Sequence, residues 1–267
     1  MEVWMKRCLY LVMILTFTLN LTFLSFAQAE IEEAGPSINL KSVLGFEFFS
    51  RTVGWKGDNE NTYTSKLKSY LFTLKMDIEI QRGLFLDLLL GYSSSNYAEM
   101  TFRELPFSVE LDVGGIGGYL IGGEIKKDLI SKENFEIALL GRFTFCLGLK
   151  KQWDIPGLAV TGEVEGNPTW MQVVAGPVLT YQRHNRLSPY LSLSFNYLWG
   201  SFDMDETVQT LRGNEKKKFS TEALIPISLG AIYALKDSIS LKGEFSVFPH
   251  KGGIEDFAFM INVVYAF

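Results

Sequence analysis

Histidine and cysteine are almost missing from this chain of 267 residues, which has two of each. The cysteines are Cys8 and Cys146, and Cys8 lies in an N-terminal segment that we expect to be removed. An internal disulfide in the mature chain is therefore excluded. The histidines are His184 and His250, so a catalytic general base has few candidates of the usual type.

Long hydrophobic runs are also missing after residue 29, where no segment has the roughly 18 uninterrupted apolar residues that a spanning helix needs. Membrane-spanning helices are therefore excluded from this part of the chain. The formal net charge is −5, and an excess of acidic side chains does not favour a nucleic-acid partner.

The N-terminus has the three parts of a secretory signal peptide. Lys6 and Arg7 are basic, residues 9–26 are mostly apolar, and Ala27-Gln28-Ala29 forms an A-x-A cleavage site. We expect residues 1–29 to be the signal peptide and residues 30–267 to be the mature domain. An uncleaved membrane anchor is the alternative. Acylation of Cys8 as a lipoprotein is not expected, because this residue precedes the apolar stretch.

The mature chain shows period-two alternation of apolar and polar residues, which is typical of β-strands with two different faces. The segments Ser69 to Ile80 and Tyr190 to Phe202 show the pattern most clearly. Ten segments of this kind are present, at residues 38–51, 69–80, 84–95, 108–124, 134–150, 169–182, 190–202, 220–235, 238–248 and 256–267.

The links between these segments alternate in length. Short links such as Gln81-Arg82-Gly83 alternate with longer ones rich in glycine and charge, such as residues 151–168 and 203–218. Short turns on one side and long loops on the other are typical of an up-and-down barrel with both termini on the short-turn side. The sequence therefore predicts an all-β fold, a closed antiparallel transmembrane β-barrel of ten strands. Eight strands, with one hairpin outside the membrane, is the alternative.

The chain resembles the small, monomeric outer-membrane β-barrel proteins of bacteria. Three features carry this resemblance: the expected signal peptide at residues 1–29, the ten alternating segments, and the last strand, which ends in Tyr265 and Phe267. The resemblance implies location in the outer membrane. It also implies contact with outer-membrane lipid and lipopolysaccharide and with the assembly machinery, and no cofactor. In these proteins a terminal strand of this type is an assembly signal, formed here by Ile261, Val263, Tyr265 and Phe267.

The positions of the aromatic residues indicate which strand face is outside. Outward aromatics are expected near both rims, as in the two interfacial belts of membrane proteins. The residues near the short-turn rim are Phe135, Tyr181, Tyr233, Tyr265 and Phe267, and those near the long-loop rim are Phe48, Tyr70, Tyr92, Tyr197, Trp199 and Phe245. This distribution favours a membrane barrel over a soluble, lipocalin-like carrier of apolar ligands.

The opposite face carries charges of both signs, which would be costly in lipid and are therefore expected in the lumen. The predicted polar network consists of Lys41, Glu47, Lys75, Asp77, Asp87, Glu136, Arg142, Lys242 and Glu244, with Gln172 and Asn196 beside it. The interior of an eight-stranded barrel is nearly filled by its own side chains, and a barrel of ten strands encloses only a little more space. Paired charges can plug such an interior, which argues against a large open pore and leaves a narrow water path open.

Two features depart from an ideal barrel sequence. Pro177 and Pro226 interrupt predicted strands, so a bulge or distortion is expected at each. Residues 114–123 contain six glycines without a following helix, which favours a bend in the wall, or room for a large side chain, over a phosphate-binding loop.

No catalytic, cofactor-binding or metal-binding residues are predicted. His184 is interpreted as a solvated turn residue and Cys146 as an inward filler. Residues 202–206 and 214–219 are interpreted as solvated loops, with weak binding of a divalent cation as the alternative for the first and contact of its lysines with lipid phosphates as the alternative for the second. The preferred function is a non-enzymatic barrel with an envelope-structural or surface-interaction role, or a narrow passage for small solutes. The alternatives are an outer-membrane hydrolase with a loop site near His250 and a soluble lipocalin-like carrier.

Overall fold

The described part of the protein consists almost entirely of β-strands. A computed structural model describes residues 40–56, 62–97, 100–102, 109–111, 114–154, 162–182, 186–222, 224–250 and 253–267. The expected signal peptide lies outside these ranges, and its removal stays a prediction. Within them, no helix is long and apolar enough to cross a membrane.

Fifteen strands are present in the described residues. The first eight are β1 (Leu40–Lys56), β2 (Thr62–Gln81), β3 (Leu84–Tyr97), β4 (Met100–Phe102), β5 (Val109–Leu111), β6 (Ile116–Lys132), β7 (Phe135–Gly148) and β8 (Lys151–Asp154). The others are β9 (Gly162–Tyr181), β10 (Leu187–Leu193), β11 (Phe195–Val208), β12 (Leu211–Ser220), β13 (Ile227–Lys236), β14 (Ile239–His250) and β15 (Gly253–Ala266).

The strands form a closed antiparallel barrel, as the sequence predicts. Ten strands close a lower ring on the short-turn side, in the order β1-β2-β3-β6-β7-β9-β10-β13-β14-β15. The last strand pairs with the first from Lys41 opposite Ala266 to Ser50 opposite Phe257. Because every strand of this ring has two neighbours, it has no free edge.

On the long-loop side the ring is smaller. The β14-β15 hairpin ends there, and β12 pairs directly with β1, from Gly54 opposite Ser220 to Lys56 opposite Lys218. Eight strands, β1-β2-β3-β6-β7-β9-β11-β12, therefore close an upper ring that shares most of its wall with the lower one. Strand β8 pairs with β9, and β4 and β5 form a separate two-stranded sheet.

The polarity of the two faces of the wall is reversed between the two rings: the outward face is apolar in the lower ring and polar in the upper ring, and the inward face changes in the opposite sense. Outward residues of β1 are apolar up to Phe48 and become polar in Thr52 and Lys56, whereas its inward residues change from Lys41 and Glu47 to the buried Val53 and Trp55. Apolar side chains outside and polar ones inside suit a lipid environment, and the reverse suits water. The lower ring is therefore the membrane-embedded part, and the upper ring extends beyond it.

The outer surface of the lower ring is widely apolar. Leu88 and Leu229 are 55% and 64% exposed, and other exposed apolar residues include Leu44, Phe72, Ile121, Leu139 and Ile261. A soluble carrier would bury this face, because exposing so much apolar surface to water is unfavourable. This wall excludes the lipocalin-like alternative.

The fourth predicted strand, residues 108–124, is wrong in its bounds. The structure has β5 separately, and β6 continues to Lys132. A register shift between Asp128 and Ile130 breaks the alternation, so Leu129 and Ile130 are both exposed. Residues 126–132, which lie in the predicted link between the fourth and fifth segments, are consequently part of a strand.

The predicted loop at residues 203–218 is also wrong, because it forms the paired strands β11 and β12. Met204 and Glu206 are buried in β11, and Glu215 and Lys217 are buried in β12. Interpreting residues 202–206 and 214–219 as solvated loops is therefore wrong for these inward side chains. The hairpin continues the wall of the upper ring.

Prolines mark the boundary between the two rings. Pro226 lies in the gap between β12 and β13, where the expected distortion is present. At Pro177 the register with β7 is uninterrupted, and the irregularity lies in the facing strand, which is divided at Ser194 between β10 and β11. This division lets β9 pair with β11 above Pro177 and with β10 below it.

Candidate functional site

The lower ring encloses a cavity of about 530 Å³. Its lining includes eight of the nine predicted lumen residues, Lys41, Glu47, Lys75, Asp77, Asp87, Arg142, Lys242 and Glu244, and also Gln172 and Asn196. Glu136 does not line the cavity, and instead accepts hydrogen bonds from Lys126 at 2.6 Å and Gln182 at 2.7 Å. The paired charges therefore fill the lumen only in part, because this cavity remains beside them.

Ion pairs cross the middle of the cavity. Glu124 on β6 lies opposite Arg142 on β7, with 3.6 Å between a carboxylate oxygen and Nε of the arginine. Lys75 on β2 donates to Glu124 at 3.2 Å, and Arg142 donates to Glu47 on β1 at 3.2 Å. Each of these four charges has a partner of opposite sign, as charges with restricted access to water require.

Tyr190 forms a second contact inside the lumen, along the wall from β10 over β13 to β14. Its hydroxyl donates to Glu244 at 2.7 Å, and Nζ of Lys242 lies 5.0 Å from the centre of its ring. The ring passes over Gly230, where an added Cβ would lie 2.3 Å from Tyr190. Glycine at this position therefore leaves room for Tyr190 to reach Glu244.

The cavity opens at the short-turn rim. The side chains of Lys41 and Lys126 near this rim are 31% and 34% exposed, whereas that of Lys75, deeper in the cavity, is 7% exposed. Rim residues Ser238 and Ala266 also line it. Since both chain ends of the barrel lie on this side, it corresponds to the periplasmic face.

A buried polar network forms the upper limit of the cavity. Arg51 donates from Nη1 to Oδ1 of Asn196 at 2.9 Å, and Gln172 donates to the same oxygen at 3.3 Å. The guanidinium of Arg51 lies 3.8 Å from the ring centre of Phe248, and its Nε lies 3.8 Å from Asp256.

Asp256 connects this network to the outer surface of the wall. It accepts hydrogen bonds from the backbone N–H of Thr52 at 2.7 Å, from its hydroxyl at 2.8 Å and from Lys66 at 2.8 Å. Asp256 lies close to the end of the β14-β15 hairpin. Its carboxylate accepts hydrogen bonds from the backbone N–H and hydroxyl of Thr52, at a position on β1 beyond the last residue that pairs with β15.

An apolar core fills the upper ring above this network. Phe49 and Trp170 meet edge to face at 6.0 Å, and above them Trp55 packs against Phe219 at 4.6 Å. The same core contains Val53, Leu67, Tyr97, Phe102, Ile116, Leu198, Phe202 and Met204, all at most 1% exposed. We call these residues the apolar core. It closes the lumen in the described part of the chain, so the cavity is blind on the long-loop side.

Several residues that shape this site were not predicted. Glu124 and Lys126 fell at or beyond the end of the fourth predicted strand, and Arg51 and Asp256 fell at the ends of two others. Tyr190 was assigned no role. The signal that could have found Arg51 is the change of face within β1, where inward residues become apolar around a single arginine.

The residues considered for catalysis or metal binding are only partly described by the structure. His184 lies outside the described residues, and for His250 only the backbone is described, opposite Gly253. Asp256, an acidic residue near His250 in the sequence, is engaged by Arg51, Lys66 and Thr52. Cys146 is buried with Sγ 3.2 Å from the Ser93 hydroxyl. Among the described residues, no group of three or more His, Cys, Asp or Glu side chains could hold a metal ion.

The predicted belt residues lie on the wall in contact with one another. Phe48 and Tyr70 are 4.9 Å apart and Tyr197 and Trp199 are 5.3 Å apart toward the upper ring. Toward the short-turn rim the pairs are Phe135 with Tyr181 at 4.9 Å and Tyr265 with Phe267 at 4.6 Å. Tyr233 and Phe245 are exposed, and Tyr92 meets Tyr119 edge to face at 6.4 Å. Ile261, Val263, Tyr265 and Phe267 are exposed together on β15.

Comparison with known proteins gives structural similarity only. No protein-family model and no curated protein matches the chain. The outer membrane protease OmpT from Escherichia coli is 9% identical with a TM-score of 0.52, over 87% of this chain and 99% of that one. The autotransporter AIDA-I transport unit from Escherichia coli is 12% identical with a TM-score of 0.42, over 88% and 92%. Ail from Yersinia pestis is 8% identical with a TM-score of 0.32, over 86% and 99%.

At these identities the similarity shows the fold, and the chain's own surface gives its environment. A closed antiparallel barrel satisfies every backbone group without water, and its wall carries the apolar band that lipid requires. The chain therefore has the fold of the bacterial outer-membrane β-barrel proteins, and its location is the outer membrane.

Proposed function

We propose that the protein is a non-conducting, non-enzymatic barrel that presents its upper ring as an interaction surface outside the membrane. The observation that carries this proposal is the apolar core, because bulky side chains such as Trp55, Phe202 and Met204 fill the centre of the upper ring in the described part of the chain. A passage for hydrated solutes needs a continuous polar lining. The charged cavity below can hold water or a small solute from the periplasm without conducting it outward.

The upper ring is well suited to an interaction role. Its wall is a continuous sheet packed around the apolar core, so the groups on its outer face are held at fixed positions. Outward residues here are polar, for example Asp205 and Thr207 on β11. A surface built on strands requires less ordering when a partner binds than one built on loops.

A non-enzymatic role is favoured because the Asp256 carboxylate is already bound by other side chains. The only solved structure named above with a TM-score over 0.5 is a protease, but at 9% identity that similarity reaches no further than the fold. A hydrolytic site at His250 would need a free acidic partner, and the Asp256 carboxylate already serves Arg51, Lys66 and Thr52.

Delivery to the membrane is a separate proposal. The last strand ends in Tyr265 and Phe267 on the lipid-facing side, which supports its recognition as an assembly signal. The closed seam between β1 and β15 supports a monomer, because no strand edge of the lower ring is left to pair with another chain.

Conductance in a planar lipid bilayer tests the absence of a passage. The purified protein should give no more current than protein-free lipid, while a porin inserted in the same lipid serves as the positive control. Insertion of the protein is verified by recovering it from the bilayer lipid in its heat-modifiable form. Discrete current steps from the protein would refute the proposal.

The enzymatic alternative is tested with the same preparation. Peptide and phospholipid substrates should be left intact by the wild-type protein and by His250→Ala alike. Hydrolysis by the wild-type protein that His250→Ala abolishes would establish the alternative instead.

A further inference from the structure

The cavity of the lower ring contains two charged side chains without an ion-pair partner. Lys242 on β14 and Asp87 on β3 both line the cavity, and both are half-buried. In the described part of the chain, no carboxylate lies within 4.0 Å of Nζ of Lys242, and no cationic nitrogen lies within 4.0 Å of the Asp87 carboxylate. Charges with restricted access to water are normally paired, so these two are exceptions.

The other charges that line the cavity are matched or exposed to solvent. Their partners are Asp77 for Lys41, Glu124 for Lys75, Glu47 for Arg142, and Asp128 and Glu136 for Lys126. Glu244 accepts a hydrogen bond from Tyr190, and Lys236 and Asp237 are exposed in the turn at the mouth. One cation and one anion are therefore left over, and together they carry no net charge.

Asp87 is the middle one of three acidic residues on neighbouring strands. It lies directly opposite Asp77 on β2 and directly opposite Glu124 on β6. Directly opposite side chains have Cβ atoms about 4.5–5.5 Å apart, and like charges in such positions are destabilising. Oδ1 of Asp77 is enclosed and accepts no hydrogen bond from the described residues. Since the cations near this row bind its two outer members, a donor is missing between Asp77 and Asp87.

An ammonium group suits the position between these two carboxylates. It carries one positive charge and three N–H donors, so it can donate to the Asp87 carboxylate and to Oδ1 of Asp77 together. A divalent metal ion suits it less, because no group of three or more His, Cys, Asp or Glu side chains in the described ranges could ligate one. The acidic side of the cavity therefore selects an organic cation.

Lys242 lies on the other side of the cavity. Four strand-to-strand steps separate β14 from β3 in the ring of ten, so the two unpaired charges enter the cavity from nearly opposite sides. Nζ of Lys242 lies 5.0 Å from the ring centre of Tyr190, whose hydroxyl already donates to Glu244. Asn262, directly opposite Lys242 on β15, also lines the cavity. A carboxylate from outside the protein would give Lys242 the partner that the described residues do not provide.

We propose that the cavity binds a small zwitterion, a molecule with one ammonium group and one carboxylate, as in free amino acids and short peptides. The ammonium binds between Asp77 and Asp87, and the carboxylate binds Lys242. The cavity volume of about 530 Å³ is within the range of roughly 300–1,000 Å³ that is typical of ligand sites. This inference deepens the proposed function and rests on it in one respect, since the closed upper end keeps a bound solute on the periplasmic side.

Binding is measured by isothermal titration calorimetry with the full mature protein in phosphatidylcholine nanodiscs. The probes are L-alanine and L-alanyl-L-alanine, which carry both groups at different separations, ethylamine, which carries only the ammonium, and propionate, which carries only the carboxylate. At least one zwitterion should bind, and ethylamine and propionate should each bind about tenfold or more weakly than it, because each lacks one charged hydrogen-bonding group. Binding of neither zwitterion, or an equal affinity for ethylamine or propionate, would refute the proposal.

Two substitutions distinguish the two ends of the site. Asp87→Asn should weaken binding of the zwitterion about tenfold or more and leave that of propionate unchanged, and Lys242→Gln should weaken it equally and leave that of ethylamine unchanged. Asp203→Asn and Lys216→Gln, which change an exposed ion pair outside the cavity, are the matched controls and should keep the wild-type affinity. An unchanged affinity in either cavity variant, or an equal loss in either control, would overturn the assignment. If a cavity variant does not fold, the four probes on the wild-type protein still decide.

Conductance of the same preparation separates this inference from the proposed function. Binding of a zwitterion without current supports both. Binding together with discrete current steps would refute the non-conducting barrel and support the zwitterion site. A bilayer without current and a titration without binding would refute the zwitterion site alone.

Discussion

Asp256→Ala should be one of the most damaging single substitutions in the protein. Both Asp256 and Arg51 are 1% exposed in their side chains, and the carboxylate also accepts hydrogen bonds from Thr52 and Lys66. Its removal leaves the guanidinium with Asn196 and the ring of Phe248 as contacts. Breaking a buried ion pair on one side costs about 3–5 kcal/mol, so we expect a loss of that size.

The assay is equilibrium unfolding by urea in phospholipid vesicles, followed by tryptophan fluorescence. Arg51→Met/Asp256→Ala should be more stable than Asp256→Ala by about 2 kcal/mol or more, because it removes the unpaired charge and keeps an apolar side chain near Phe248. Asp203→Ala, which breaks the exposed pair with Lys216, should cost at most about 1 kcal/mol. The reasoning fails if Asp256→Ala costs no more than Asp203→Ala, or if the double variant gains nothing.

Three further substitutions test other parts of the structure. Leu88→Arg should cost about 2–4 kcal/mol in the same unfolding assay if this exposed residue faces lipid, and close to nothing if it faces water. Gly230→Ala should cost about 1–3 kcal/mol, because its Cβ would meet Tyr190, whereas Gly243→Ala, with no atom within 4 Å of its Cβ, should be nearly neutral. Phe267→Ala should lower the amount of barrel in outer membranes without affecting refolding in vesicles. An unchanged amount in cells would contradict the assembly signal.

The membrane-embedded half of the barrel could be predicted from the sequence because its pattern is uniform. Along β2, outward residues such as Phe72 are apolar and inward residues such as Lys75 are polar. That regularity gave the barrel class, the number of strands in the lower ring and the approximate position of most of them in the sequence. It also placed eight charged residues on the wall that encloses the cavity.

The upper ring could not be predicted in the same way, because the apolar stripe changes face at the membrane boundary. Along β11 the outward residues are apolar up to Trp199, and beyond it the inward residues Phe202 and Met204 are apolar. A strand that is predicted from one continuous apolar face ends at the residue where the apolar side chains change to the other face. Residues 203–218 therefore looked like a charged loop, although they form strands.

The apolar core was missed for the same reason, and with it the blind end of the cavity. Its members come from strands that are distant in the sequence, for example Trp55 from β1 and Phe202 from β11. A local sequence pattern cannot predict that residues so far apart in the chain pack against one another. The pairing of β12 with β1 was equally hidden, since nothing in the sequence shows that the β14-β15 hairpin ends below them.

The two fused rings have a consequence for the order of folding. The upper ring closes through β12 and β1, so all of its strands are present before the last hairpin has been added to the chain. A chain that lacks β14 and β15 retains every strand of the upper ring and has a gap only in the membrane-embedded wall. The last hairpin then fills this gap, and its pairing with β1 joins the residues that are farthest apart in the sequence, so we expect this contact to form late.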